Sequence, residues 1–224
     1  MAEIYVIDTE LFLDSRLYEI GQGLLSAQRQ KQLLSLKNPA AARRSLGAGV
    51  VLFFALQAHG FAGKQEEILL TKYGKPYLPH RGFHFSLSHS GNLAICAVSD
   101  LPIGADLQEV KPALPKHLRR ILSEGERAYL PRLPKEEQVE LFYRLWARKE
   151  SLAKWDGRGI RLPFAELSFL EAGRLQDSIP FAGNILWVHE EKRFLPKYAL
   201  SLCSSRPFST PTFSKITAET LKKP

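Results

Sequence analysis

The sequence is poor in sulfur. Of its 224 residues only two are cysteine and one is methionine. Two cysteines cannot form a disulfide framework, which excludes the class of small, disulfide-stapled secreted domains. Cys96 and Cys203 each stand in an apolar run, so we predict two buried structural thiols in a protein of a reducing compartment.

The sequence also has no long apolar run. The longest, AGVVLFFAL at residues 48–56, is shorter than the roughly 20 residues that span a bilayer. The first ten residues, MAEIYVIDTE, contain three acids and no basic region before an apolar stretch, so no secretory signal is visible. We expect a cytoplasmic protein that does not contact a membrane.

Common nucleotide and metal motifs are missing as well. There is no GxxxxGK[ST] loop, no GxGxxG after a strand, and no Cys/His cluster for zinc. Positive charge is abundant: 31 Lys and Arg stand against 23 Asp and Glu, for a net charge of +8. This balance predicts an anionic partner, which includes nucleic acid, phosphates and acidic proteins, without choosing among them.

The pattern of elements predicts an α+β fold. A long helix is expected from Asn38–Pro39 to Gly60, and FHFSLSHS-GN-LAICAVS predicts a β-hairpin. A helix with a break near Gly125 is expected in PKHLRRILSEGERAYL, and a second strong helix in EEQVELFYRLWARKESLAKW. Strands are expected at IGADLQ, ELSFL, NILWVHEE and KYALSLCS. Because helices followed by strands occur twice, we predict two similar lobes, residues 1–101 and 102–224, with a flexible tail from about 205.

One acid stands where an acid is costly. Asp106 lies inside the apolar strand IGADLQ, and a buried carboxylate needs a positive partner. Gln108 follows on the same face of the strand. Either a Mg²⁺ ion shared with a carboxylate of a neighbouring helix meets Asp106, or Asp106 caps a turn or pairs with an arginine.

The second strong helix presents a polar face. Trp146, Glu150 and Lys154 recur at a spacing of four residues and share that face. They form either an exposed ion pair worth about 0.2–0.5 kcal/mol, or a carboxylate and an ammonium presented beside an indole. The second arrangement suits proton transfer near a phosphate.

Three further segments carry candidate phosphate contacts. Ser88 and His89 are neighbours on a strand and point to opposite faces, so they are no hydrolase dyad. They belong either to a plain hairpin turn or to a phosphate site. Lys75 stands in the rigid turn YGKPYLP, and the arginines of ARRSLG are either solvated or grip a phosphate.

Taken in order, YGKPYLP, FSLSHSG, IGADLQ and LFYRLWARKESLAKWDGRGI resemble the Sfp-type (group II) 4′-phosphopantetheinyl transferases. Members of this family carry a GKP loop, an SHS strand, a G-(V/I)-D-(I/V)-E strand and a W-x-x-K-E-(S/A)-x-x-K helix. The match runs from ARRSLG to RLPFAELSF. The length fits the long form of the family, in which one chain supplies two lobes related by pseudo-twofold symmetry.

The resemblance implies a reaction and a site. Coenzyme A donates its 4′-phosphopantetheine arm to a serine of an apo acyl or peptidyl carrier protein, with Mg²⁺, and 3′,5′-ADP leaves. Asp106 and Glu150 are implied as Mg²⁺ ligands, Glu150 also as general base, Lys149 as a diphosphate contact, and Lys154 as phosphate contact and general acid. The remaining implied contacts with coenzyme A are Arg44, Ser88 and His89 at the phosphate and Tyr73, Gly74, Lys75 and Pro76 at the adenine.

The sequence departs from the family pattern in the metal strand. Gln108 stands where the family has Glu, and Ala105 replaces a branched residue. Gln108 would reach the metal either directly through its amide oxygen or through a water. Because one negative charge is lost, an alternative interpretation is a catalytically impaired relative that binds coenzyme A or a carrier. A nucleic-acid-binding protein is a further alternative, although no motif of that class is present.

A basic segment is the expected contact with the partner. Residues 110–123 hold Lys111, Lys116, Arg119 and Arg120 and no acid, which would suit an acidic carrier protein. Leu118, Ile121 and Leu122 are expected to add apolar contact. The alternative is a basic helix face turned to solvent. We expect the enzyme to be a monomer.

Overall fold

A computed structural model describes residues 1–61, 68–79, 82–116, 118–191 and 194–224. The chain is of the α+β class and divides into two compact units. Unit one consists of Met1–Thr71, Pro76–Asp100 and Thr210–Pro224. Unit two consists of Lys72–Lys75 and Leu101–Ser209.

Strands and helices are numbered separately along the chain. The strands are β1 (Ala2–Asp8), β2 (Leu69–Leu70), β3 (Pro76–Tyr77), β4 (His84–Ser90), β5 (Leu93–Ser99), β6 (Ile103–Glu109), β7 (Leu170–Glu171), β8 (Arg174–Leu175), β9 (Ser178–Phe181), β10 (Asn184–Glu190), β11 (Tyr198–Ser204) and β12 (Thr212–Ile216). The α-helices are α1 (Ser15–Gly23), α2 (Ala27–Leu34), α3 (Pro39–Ala58), α4 (Leu118–Ile121), α5 (Glu124–Tyr129), α6 (Lys135–Asp156) and α7 (Ala218–Lys222).

Unit one is built around the helix α3, whose predicted bounds are confirmed. The Asn38 side chain accepts a hydrogen bond from the amide of Ala41 at 3.0 Å, Pro39 occupies the first turn, and Gly60 follows with φ +80°. Among the described helices, α3 alone has the length and composition to cross a membrane. In the structure 61% of its most apolar window is buried inside the protein, as in the core helix of a folded domain.

The sheet of unit one has the strand order β12-β1-β5-β4. β4 and β5 form the predicted antiparallel hairpin, with Ser88 opposite Ile95 and His89 opposite Ala94. Cys96 on β5 and Cys203 on β11 are free and buried, as predicted. Burial raises the pKa of the Cys203 thiol to about 12, so the thiol stays protonated and is unsuited to reactions that need a thiolate.

The sheet of unit two has the order β6-β11-β10-β9 and is antiparallel throughout. The helix α6 packs on β6 and β11. Gly104 makes this packing possible, because a Cβ at this position would overlap the backbone of Ser151 and Trp155. The strand that carries Asp106 is thereby held directly against the helix that carries Glu150.

The C-terminal segment corrects one prediction. Residues after about 205 do not form an irregular tail of the second lobe: Thr210–Pro224 belong to unit one. Strand β12 pairs in parallel with β1, and Thr217 caps α7. Ile216 and Leu221 are both buried, and these two apolar anchors outweigh the Ser/Thr/Pro-rich composition that indicated disorder.

Two local predictions in unit two are also wrong. ELSFL is not a strand: Phe164–Glu166 form a 3₁₀ turn, and only its last residue joins the two-residue strand β7. The helical break falls at Leu122–Ser123, before Gly125, because the Ser123 hydroxyl caps the amide of Glu126 and starts α5 there.

Candidate active site

The buried carboxylate of β6 accepts hydrogen bonds from at least two side chains. Asp106 is only 3% exposed. The Lys154 Nζ donates to its Oδ1 at 2.7 Å, and the Gln108 Nε2 donates to its Oδ2 at 2.7 Å. The ammonium of Lys154 on α6 is therefore a positive group that offsets the burial of Asp106.

The helix α6 presents the predicted polar face to this carboxylate. Trp146, Glu150 and Lys154 follow one another by one turn each. The Trp146 Nε1 donates to the Glu150 Oε1 at 3.4 Å, while Lys154 binds Asp106. The carboxylate and the ammonium of α6 are thus presented together at the strand, beside an indole.

Electrostatics couples the two carboxylates. Burial raises the pKa of Glu150 above its ordinary value, and the neighbouring Asp106 carboxylate raises it further. Lys154 and the hydrogen bond from Trp146 oppose this rise without cancelling it. A half-buried carboxyl group beside a second one has a high affinity for a proton or a cation, which is the property expected of a functional site.

These residues fit a Mg²⁺ ion. Mg²⁺ prefers hard oxygen ligands, takes one or two protein carboxylates, and completes its shell with water and substrate phosphates. Asp106 and Glu150 supply two carboxylates, and Gln108 adds an amide oxygen on the same strand face. Within the described part of the chain no group of three or more His, Cys, Asp or Glu side chains forms a complete protein cage for a metal. Two carboxylates and an amide oxygen are a donor set that a Mg²⁺ ion would complete with water and phosphate oxygens.

Lys149 is not part of this face, which corrects the predicted diphosphate contact. Its side chain is fully buried. Its Nζ donates to the Glu126 Oε2 at 2.5 Å and to the carbonyl oxygens of Ile121, Phe164 and Leu167 at 2.8, 2.9 and 2.7 Å. Adjacent residues of a helix point about 100° apart, so Lys149 enters the core while Glu150 faces the strand. Burial lowers the pKa of Lys149, and Glu126 opposes that effect.

Glu126 is the partner that sequence reasoning missed. Its carboxylate accepts from the amides of Ser123 at 2.8 Å and Phe169 at 2.9 Å, in addition to Lys149. The pattern Ser-x-x-Glu at 123–126 is a readable capping box. The pairing of Glu126 with Lys149, 23 residues away, cannot be inferred from the sequence, because only the tertiary fold brings the two side chains together.

The predicted nucleotide contacts fall in both units. Arg44 is half-buried on α3, Ser88 is buried and His89 is exposed on β4, all three in unit one. Pro76 starts β3 of the same unit. These positions stay predictions, since no ligand contact is described for them.

The loop before Pro76 belongs to unit two and carries the other adenine-side residues. Tyr73 is 41% exposed, and the Arg161 guanidinium lies 5.1 Å from its ring centroid. Gly74 is exposed beside it. The Lys75 Nζ donates to the carbonyl oxygen of Trp155 at 2.8 Å, at the C-terminal end of α6. Burial lowers the pKa of Lys75 to about 8.

The predicted docking residues are solvent-exposed. This holds for Lys111, Lys116, Arg119 and Arg120. Position 117 of the segment lies outside the described residues. The apolar part of the prediction is wrong for Ile121 and Leu122: both are buried in the hydrophobic core of unit two, and only Leu118 is partly exposed.

Comparison with known proteins identifies the family of the chain. A sequence profile of the 4′-phosphopantetheinyl transferase superfamily (ACPS) matches residues 102–203, which include β6, α6 and all but the last residue of β11. The chain is 28% identical over 210 residues to the 4′-phosphopantetheinyl transferase Sfp of Bacillus subtilis (strain 168), covering 92% of this chain and 93% of the relative. It is 30% identical over 202 residues to the 4′-phosphopantetheinyl transferase ffp of Bacillus subtilis, covering 88% and 89%.

A third relative extends the comparison. The 4′-phosphopantetheinyl transferase psf-1 of Bacillus pumilus is 30% identical over 185 residues, covering 80% of this chain and 78% of the relative. The chain belongs to the 4′-phosphopantetheinyl transferase superfamily, and the predicted enzyme class is confirmed. Within it, the long relatives indicate the Sfp type.

Proposed function

We propose that this enzyme transfers the 4′-phosphopantetheine arm of coenzyme A to a serine hydroxyl of an apo acyl or peptidyl carrier protein, releases 3′,5′-ADP, and works in the cytoplasm. The observation that carries the proposal is the pair of coupled carboxylates, Asp106 and Glu150, with the Lys154 ammonium one turn away. Phosphoryl-type transfer needs positioning and charge neutralisation, and this pair offers both.

The roles follow from the chemistry of each group. Glu150 takes the proton of the carrier serine; a pKa above the ordinary carboxyl value makes it a stronger base near neutral pH. The serine oxygen forms a bond with the phosphorus that bears the pantetheine, and the bond from that phosphorus to the bridging oxygen breaks. Lys154 stabilises the leaving oxygen by its charge and serves as its proton donor.

Asp106 and Glu150 would hold a Mg²⁺ ion together with the coenzyme A diphosphate. When bound, the ion neutralises diphosphate charge and orients the reacting phosphorus. In this chain Gln108 holds one oxygen of Asp106 through its amide nitrogen, and Lys154 holds the other. The third carboxylate of the family pattern is absent, so two carboxylates carry the anionic part of the site.

The nucleotide end of coenzyme A is assigned to the remaining predicted contacts. Arg44, Ser88 and His89 would bind phosphate, and the segment Tyr73–Pro76 would border the adenine. We further infer a monomer whose two lobes are related by pseudo-twofold symmetry. The presence in each unit of a four-stranded sheet with a long helix packed on it supports this inference.

The partner is proposed to be an acidic carrier protein that docks on the exposed basic residues. These are Lys111, Lys116, Arg119 and Arg120. The double change Arg119→Glu and Arg120→Glu should raise the KM for the carrier about tenfold, because like charges across an interface repel. The KM for coenzyme A should stay within about twofold of wild type. The matched control is Arg16→Glu with Lys37→Glu, which changes the net charge equally on exposed residues of unit one.

The reaction itself is tested by its two products. Release of 3′,5′-ADP should match the number of carrier serines modified, and a carrier whose serine is replaced by alanine should give neither product. Gln108 favours one second candidate, an impaired relative that binds coenzyme A without transfer. Saturable coenzyme A binding with no 3′,5′-ADP release on any of several carriers would support that candidate over the transferase.

A further inference from the structure

Lys149 and Glu126 form a buried ion pair that has no direct role in the transfer chemistry. Both side chains are fully buried. Six hydrogen bonds satisfy the pair: the Lys149 ammonium donates four, one of them to Glu126, and two backbone amides donate to the Glu126 carboxylate. Such a network is fully satisfied, and it fixes the backbone groups that it contacts.

The groups that it fixes come from three places in the chain. The Ile121 carbonyl is the last of α4, the helix that carries the exposed Arg119 and Arg120. The Phe164 and Leu167 carbonyls belong to the segment that follows α6. The ammonium that joins them stands on α6, in the residue directly before the base of the transfer reaction, Glu150.

Stability alone is a poor explanation for this arrangement. The desolvation of two buried charges offsets most of their attraction, and well-packed apolar residues of similar size often stabilise a fold equally well or better. What an apolar pair cannot do is hold three carbonyl oxygens at fixed positions around one atom. The structural consequence that is specific to the Lys149 network is therefore the placement of α4 relative to Glu150.

We propose that Lys149 is a positioning residue, which fixes the position of the basic helix α4 relative to Glu150. A carrier docked on Arg119 and Arg120 then presents its serine to the Glu150 carboxylate. The proposal rests on the carrier docking described above. It replaces a direct contact between Lys149 and coenzyme A, which the complete burial of the ammonium excludes in this structure.

A charge-neutral double variant tests the proposal. Lys149→Met with Glu126→Leu removes both buried charges, keeps similar volumes and leaves the surface unchanged. We expect it to fold with lower stability than wild type, because five backbone groups lose their partners. It should bind coenzyme A with a dissociation constant within about twofold of wild type. It should lose about tenfold or more in kcat with the carrier, because small misplacements of reacting groups cost rate.

A double-mutant cycle separates positioning from a merely structural role. The charge reversal of Arg119 and Arg120 is made in the wild-type background and in the Lys149→Met, Glu126→Leu background, and kcat/KM for the carrier is measured. If Lys149 fixes the position of α4, the charge reversal should lower kcat/KM by a factor at least threefold smaller in the second background than in wild type. The reason is that a carrier docked there no longer presents its serine to Glu150. Equal factors in both backgrounds would overturn the proposal.

The two proposals fail in different ways. No effect of the charge reversal in the wild-type background would refute docking on α4, and the positioning role with it. A full effect there, repeated unchanged in the second background, refutes the positioning role alone. If the double variant does not fold, the same cycle is run with Glu126→Gln, which keeps the side-chain size and removes the charge that holds Lys149; the same two outcomes decide.

Discussion

The Lys154 ammonium lies 2.7 Å from Oδ1 of Asp106, so this lysine neutralises one of the two carboxylates that we propose as metal ligands. The Lys154 side chain is 28% exposed and carries its ammonium at the end of a flexible stem, whereas Asp106 is buried in the strand. A divalent ion that binds Asp106 therefore competes with Lys154, and a displaced Lys154 is available to a substrate phosphate.

Replacing Lys154 should separate metal binding from turnover. Lys154→Met removes the competing charge, so Mg²⁺ binding without coenzyme A should tighten about three- to tenfold. Turnover should fall about a hundredfold or more, because the leaving oxygen loses its charged partner. Calorimetry and steady-state kinetics measure the two effects. Lys135→Met, at the exposed start of the same helix, is the charge-matched control, and equal effects of both variants would contradict the assignment.

Gln108 offers a test of the strand face. Gln108→Glu would place a second carboxylate where an amide now donates to Asp106, and should lower the free energy of unfolding without metal by about 1–2 kcal/mol. Added Mg²⁺ should restore that loss and bind more tightly than to wild type. Gln108→Met loses the hydrogen bond without adding charge, so Mg²⁺ should stabilise it no more than it stabilises wild type. Identical Mg²⁺ dependence of wild type and Gln108→Glu would place residue 108 away from the metal.

Lys75 predicts a pH dependence of stability. Burial lowers its pKa in the folded protein from 10.5 to about 8, so between these two pH values the unfolded chain binds more protons at this site than the folded chain. The contribution of Lys75 to the free energy of unfolding must therefore rise as the pH rises from 8 towards 10.5. Urea denaturation of wild type and Lys75→Met at pH 7.5 and 9.5 measures it. A difference between the two proteins that does not grow in favour of wild type would show that Lys75 keeps its ordinary pKa.

Gly104 should be indispensable for the site. A Cβ there overlaps the backbone of α6, so Gly104→Ala should destabilise the protein by about 2 kcal/mol or more and push the helix away from Asp106. Gly125→Ala is the control, because a Cβ at Gly125 meets nothing within 4 Å. Thermal unfolding compares the two variants, and equal midpoints would mean that β6 and α6 are less closely packed than described.

The sequence was sufficient for elements whose signals are local. The caps of α3, the hairpin β4–β5 and the face of α6 all follow from spacing, and the ordered motifs led to the correct family. Asp106 was recognised as anomalous because an acid inside an apolar strand requires a partner. The identity of that partner in the protein alone, Lys154, was not predicted, since the resemblance assigned this lysine to a phosphate.

The errors concern contacts between distant parts of the chain. Lys149 looked like a ligand because it precedes Glu150 in a motif, and the sequence does not say which side of a helix enters the core. Its partner Glu126 looked like an ordinary capping residue. The terminal strand β12 was missed because its parallel pairing with β1 joins residues about 200 positions apart, and no local pattern encodes it.

The transfer of the phosphopantetheine arm by the Asp106–Glu150 site is tested most directly by intact mass spectrometry of an apo carrier protein after incubation with coenzyme A, Mg²⁺ and enzyme. Wild-type enzyme should add one arm per carrier serine. Asp106→Asn and Glu150→Gln keep the shape of each side chain and should each reduce the rate of addition by at least about a hundredfold. A carrier left unmodified by the wild-type enzyme, or modified at the wild-type rate by either variant, would contradict the proposed site.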